Sequence, residues 1–150
     1  MGVLAPLGRL LFSAIFIFNG VNHFVNGEAV VGYARGAGLP SPALAVYGSG
    51  VVLLVGGLCI LLGVLTRIAA IAIAAFLIVS ALMVHHFWAL PPERAQMEMI
   101  LFSKNISMAG GALLLAYFGP GPYSIRARSK VLEERRTRRP PPVLRPRPQP

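Results

Sequence analysis

Asn19, Asn22 and His23, then His85 and His86, then Lys104 and Asn105 are the residues of this 150-residue sequence that could do chemistry in otherwise apolar surroundings. Amides donate and accept hydrogen bonds, an ammonium binds an anion or a carbonyl oxygen, and an imidazole ordinarily titrates near neutral pH and can carry a proton. Asn19, Asn22 and His23 stand at i, i+3 and i+4, one face of a helix. His85 and His86 are adjacent, so on a helix they point in different directions and are not a paired ligand set. No Ser-His-Asp arrangement, phosphate loop, dinucleotide fingerprint or spaced metal motif accompanies these residues. No metal site is expected, and no named reaction follows from the residues alone.

The elements that carry them are long apolar runs. The chain is 55% hydrophobic and 13% charged, which excludes an ordinary soluble domain of this size. About 20 apolar residues, each rising 1.5 Å, cross a hydrocarbon core roughly 30 Å thick. Four stretches meet that length, at about residues 7–25, 43–65, 68–88 and 99–118. The expected fold is all-α: an integral membrane four-helix bundle over residues 1–125, followed by a disordered basic Pro/Arg-rich cytoplasmic tail over 126–150. The first run has no small-x-small cleavage pattern after it and ends in polar residues, so it reads as a retained span rather than a signal peptide. Pro6 stands where N-myristoylation would need Ser or Thr. Residues 28–42, rich in Gly and Pro, read as a loop with room for a short interfacial helix. Phe87 and Trp88 sit where an aromatic belt is expected, before Pro91-Pro92-Glu93-Arg94. Cys59 is the only cysteine and reads as a small apolar residue.

Charge sets the orientation. Arg9, Arg67 and nine basic residues of the tail fall on one side of a four-span chain, against Arg35, Arg94 and Lys104 on the other. The side rich in Lys and Arg is expected to be cytoplasmic, with both termini inside. Residues 126–150 carry a net charge of +7, whereas residues 1–125 carry +2. The basic balance therefore belongs to a topology signal with possible contact to anionic lipid, and it does not indicate nucleic acid.

With that orientation, Asn19, Asn22 and His23, His85 and His86, and Lys104 and Asn105 all fall near one level on the extracytoplasmic side. Ionisable groups within lipid are costly, so such residues usually face a cavity or each other. Two other readings stay open. The histidines could be interfacial residues beside Trp88, and Lys104 could reach the headgroups or pair with Glu98 or Glu28. Small residues mark the packing faces: Ser49, Gly56 and Gly63 at seven-residue spacing, Gly50 and Gly57 likewise, and Ser103, Ser107 and Gly111 at four. Such residues let helix backbones approach closely, and packing within the chain is preferred here over contact between copies.

An Asn-Gly-x-x-His end to the first span is followed by a Gly-rich turn from Gly56 to Arg67 and a His-x-Trp end to the third span. Lys104-Asn105, Gly110-Gly111 and Gly119-Pro120-Gly121-x-x-Ser124 complete the pattern. Over about residues 7–125 this resembles the DoxX family of small four-helix bacterial membrane proteins. The chain departs from the family's usual ending, where an acid follows the Ser closely; here Ile125-Arg126 follows. The resemblance implies a multi-pass protein of the bacterial plasma membrane. It also implies a membrane subunit of a redox-associated complex, linked to quinone or to thiol and sulfur chemistry, with a protein partner. In that reading a quinone headgroup or a small sulfur substrate meets Lys104 as hydrogen-bond donor and His23 or His85 as proton carrier. A non-catalytic anchor for a soluble partner, a small solute carrier and a homo-oligomer remain alternatives. The topology predicts that an enzyme active only in the periplasm is inactive when fused after residue 150, and activity of that fusion in cells would reverse the orientation.

Overall fold

A computed structural model of the chain describes residues 2–137. Helix α1 spans Leu4–Val25, α2 Gly27–Gly36, α3 Pro42–Leu62, α4 Thr66–Met83, α5 Pro92–Phe118 and α6 Ile125–Thr137, with a short 3-10 turn at Phe87–Ala89 before α5. The runs containing α1, α3, α4 and α5 are long and apolar enough to cross a membrane. Their outward faces carry large apolar side chains that water would not tolerate in such number, among them Leu11, Phe18, Ile68, Leu114 and Phe118, each more than 60% exposed. The loop after the first span holds α2.

Three of the four seams round the bundle are packed. Helix α1 lies along α3, α4 lies along α5, and α3 meets α4; α1 and α5 are not packed backbone to backbone. The first seam is close because it is built on glycine. A Cβ placed on Gly20 would stand 2.6 Å from the Leu54 backbone nitrogen, one on Gly57 would stand 2.8 Å from Ile17, and one on Gly50 would stand 2.9 Å from His23. Gly56 serves the α3–α4 seam against Ile73, and Gly111 faces the Phe12 ring across the looser α1–α5 seam. Buried Ala69, Ala70 and Ala74 let α4 approach the core of Phe16, Leu53, Ile60, Ile73 and Leu77. Ser103 and Ser107, expected in a packing stripe with Gly111, are exposed. The four-residue repeat drifts round the helix, and only Gly111 reaches a neighbour.

Helix ends follow local chemistry. Proline opens α3 at Pro42 and α5 at Pro92, where a missing N–H costs nothing. Gly63 closes α3 in the left-handed region, with its N–H on the Ile60 carbonyl and the Val64 N–H on that of Cys59, a Schellman turn. The span expected at 99–118 begins seven residues earlier, because Glu93, Arg94 and Glu98 extend the helix beyond its apolar part. The third is shorter than expected as a helix: α4 ends at Met83, and His85 and His86 lie beyond it.

The tail also differs from expectation. Its first half is the helix α6, not a disordered segment. Buried Ser124 accepts the Ala127 N–H at 3.1 Å and so caps the helix, and no proline occurs between Pro122 and Pro140. Residues 138–150 of the expected tail lie outside the described residues.

The packing generates a paired expectation. Gly20→Ala should cost about 1–3 kcal/mol, since its new methyl meets backbone that cannot yield. Gly110→Ala, with nothing within 4 Å of its added methyl, should be neutral or stabilising. Thermal unfolding of the detergent-solubilised variants checks both.

Candidate functional site

At the end of the bundle away from the termini, α1, α2, α3, α4 and α5 enclose a cavity of about 510 Å3. Asn19, Asn22 and His23 of α1 line it, as do His85 from the α4–α5 connection and Lys104 and Asn105 of α5. Residues from three separate parts of the chain thus share one space. Its inner wall is apolar, with Phe16, Leu53, Phe76, Leu77 and Met108. His86 does not line it. Helix α4 has ended by then, and His86 turns the other way, its ring edge-on to Trp88 and its Nδ1 3.2 Å from the Met83 carbonyl.

The polar residues are held in defined states. His23 Nδ1 lies 3.0 Å from the Val46 carbonyl and 3.1 Å from Ser49 Oγ, which itself donates to that carbonyl at 2.9 Å. A carbonyl only accepts, so Nδ1 carries the proton, and in the neutral ring Nε2 is left as an acceptor. Asn19 donates to the Ile15 carbonyl at 2.7 Å, which leaves its amide oxygen available. Asn22 Oδ1 accepts from Asn26 at 2.7 Å. Buried Asn105 donates to Ser80 Oγ at 3.4 Å. Lys104 is exposed on the cavity and has no hydrogen-bond or ion-pair partner among the described residues. The two ion pairs named as alternatives for it are not formed: Glu98 is engaged elsewhere, and Glu28 is exposed on α2.

Glu98 joins two cavity residues that the sequence alone did not connect. His85 Nδ1 donates to its Oε2 at 2.7 Å and the Tyr33 hydroxyl to its Oε1 at 3.1 Å. Tyr33, Glu98 and His85 therefore form one hydrogen-bonded chain at the cavity, through a carboxylate only 17% exposed. Glu98 entered the reading of the sequence only as an alternative partner for Lys104, because the apolar run was drawn from residue 99. It stands seven residues before Asn105, two turns on the same face, and that spacing was the available signal. Tyr33 had none, since α2 reaches α5 only through the tertiary fold.

No group of three or more His, Cys, Asp or Glu that could hold a metal occurs among the described residues. Four membrane-length helices round a cavity with a polar rim define a small multi-pass membrane protein. A family model described as DoxX matches residues 4–86, and one described as SURF4 family matches the overlapping residues 46–132. The chain is 33% identical to inner membrane protein YphA of Escherichia coli (strain K12) over 126 residues, 84% of this chain and 90% of that protein. It is 35% identical to inner membrane protein YqjF of the same organism over 127 residues, 83% and 89% of the two chains. The chain belongs to the DoxX family and is a multi-pass inner-membrane protein. No solved structure matches it.

Burial pushes the Tyr33 hydroxyl up to about 12, with the hydrogen bond to Glu98 and the Glu98 charge adding to it. A phenol raised in this way contributes stability that is fully present below its ordinary value near 10.0 and lost as pH rises through 12. Tyrosine titration by phenolate absorbance should therefore show one group ionising near 12 that vanishes in Tyr33→Phe and moves toward 10.0 in Glu98→Gln. An unchanged curve in Tyr33→Phe would remove Tyr33 from the chain.

Proposed function

We propose that this protein is a ligand-binding membrane subunit of a redox-associated complex, and that its cavity takes the headgroup of a quinone-like molecule. The observation that carries the reading is the division of one cavity into an apolar wall and a rim of donors. Phe16, Phe76, Leu77 and Met108 suit a flat apolar ring, and the unpartnered Lys104 ammonium suits a carbonyl oxygen on it. The cavity volume of about 510 Å3 is in the range of small-molecule sites. His23 Nε2 and the Asn19 oxygen supply further polar contacts from the opposite wall.

When bound, a quinone would supply the electron-accepting chemistry. The protein's own residues bind and orient it, and they handle protons. The Tyr33–Glu98–His85 chain offers a path by which a proton held at His85 communicates with the bundle surface. Cys59 stands alone in the sequence, so the chain has no internal dithiol to pass electrons, and a partner subunit would supply them. The cavity is taken to open on the extracytoplasmic side, because Arg9, Arg67 and the start of the basic tail lie at the other end.

The test is titration of purified protein with a short-chain benzoquinone, read by quenching of Trp88, the one tryptophan. Lys104→Met preserves the length of the side chain and removes its charge, and should weaken binding by about tenfold or more, as expected for a hydrogen bond from a charged donor worth about 1.5–3 kcal/mol. Arg67→Met, at the other end, should bind like the wild type. Equal affinity in Lys104→Met and the wild type would end the quinone reading.

A further inference from the structure

We infer that the end of the bundle carrying the termini holds a specific site for an anionic phospholipid, with the lipid phosphate on Arg9. Arg9 entered the reading of the sequence only as a topology charge. In the fold it is drawn inside, 4% exposed, within a helix that crosses the membrane. Its Nη2 donates to the Tyr123 carbonyl at 3.0 Å, whereas Nε and Nη1 are buried with no hydrogen-bond partner among the described residues. No carboxylate of the described residues pairs with it, and the ion pair of His85 and Glu98 lies at the opposite end. A buried guanidinium with two idle donors and no counter-charge is costly, and an oxyanion carrying two acceptor oxygens would satisfy both needs.

The surroundings say what kind of oxyanion. Arg9 lines a second cavity of about 410 Å3, set between α1 and α5 on the seam where these helices are not packed along their backbones. Leu4, Phe12, Leu114, Leu115 and Phe118 make its walls apolar, and the Gly119–Gly121 turn closes one end. Leu4, Leu114 and Phe118 are each more than 60% exposed, so the groove continues into the surface that faces lipid. A soluble anion would have no use for these walls, but the acyl chains of a phospholipid would lie along them. Arg67 adds a second cation: its Nε lies 3.6 Å from where a Cβ on Gly119 would stand. Two arginines, with no acid among the residues that line the groove, favour a lipid of net negative charge over a zwitterionic one.

The experiment uses the full chain, delipidated in detergent and returned to mixed micelles with phosphatidylglycerol or phosphatidylcholine, with bound lipid counted by native mass spectrometry. The expected result is one phosphatidylglycerol retained per chain, at least tenfold in preference to phosphatidylcholine, with a rise in thermal midpoint. Arg9→Gln should lose that preference, and Arg35→Gln, which removes the same charge at the other end, should keep it. Should Arg9→Gln fail to fold, Gly8→Leu decides the matter. Gly8 lines the groove, and apart from its chain neighbours nothing lies within 4 Å of its added Cβ, so the leucine extends into the lipid's place and should abolish retention. Retention unaffected by Gly8→Leu, or equal retention of the two lipids by the wild type, overturns the site. Stabilisation by inorganic phosphate equal to that by phosphatidylglycerol would also overturn it, by assigning Arg9 to a soluble anion.

Discussion

The close approach of α1 to α3 is the constraint from which the rest of the molecule follows. Without a hydrophobic drive between helices in lipid, association depends on contact, and contact here is made possible by glycine. Gly20 admits the Leu54 backbone, and Gly50 and Gly57 admit His23 and Ile17. A helix drawn so tightly onto one neighbour stands off another. The open seam is the one between α1 and α5, and both cavities have α1 on one wall and α5 on another. At the middle of the seam Phe12 faces Gly111, which separates the two spaces.

The two ends of that seam handle polar groups in opposite ways. At the loop end the buried or half-buried polar side chains satisfy one another: His23 with Ser49 and the Val46 carbonyl, Asn105 with Ser80, and Tyr33 and His85 with Glu98. Such networks hold geometry, because each member loses more by leaving than it would in water. Lys104 stands outside the network, a charged donor on the cavity with no partner among the described residues. At the terminal end Arg9 has only the Tyr123 carbonyl, and Thr66 Oγ1 is buried with no partner among the described residues. One end holds most of its polar groups in a network, while at the other the Arg9 Nε and Nη1 have no hydrogen-bond partner among the described residues.

The closing segment ties these ends to the topology. Tyr123 holds Arg9 through its carbonyl, Ser124 packs against Gly63 at the α3–α4 turn, and the Ser124 hydroxyl then starts α6. A side chain on Gly63 would collide with both Ser124 and the Arg9 guanidinium, so this glycine is required twice, once for its positive φ and once for space. The Gly119-Pro120-Gly121 stop has a comparable double role, as the end of α5 and the floor of the second cavity.

By itself the sequence determined the number of spans, the helical class and the single face that carries Asn19, Asn22 and His23, because these depend on local quantities: run length against bilayer thickness, and the 3.6-residue repeat. It marked Gly56, Gly63 and Gly111 as close-contact positions, though spacing alone could not tell which stripe would meet a neighbour, and Ser103 and Ser107 face outward. Which side chains share a space was decided only by tertiary structure. His85 and His86 are equivalent in sequence, yet the end of α4 at Met83 sends one to the cavity and the other to Trp88. Glu98 and Tyr33 became part of the site through contacts 13 and 65 residues away along the chain, which no local period encodes. Arg9 changed most of all, from a charge that marks a side of the membrane to a buried group without a counter-ion among the described residues, because burial is a property of what packs around a residue and not of the residue itself.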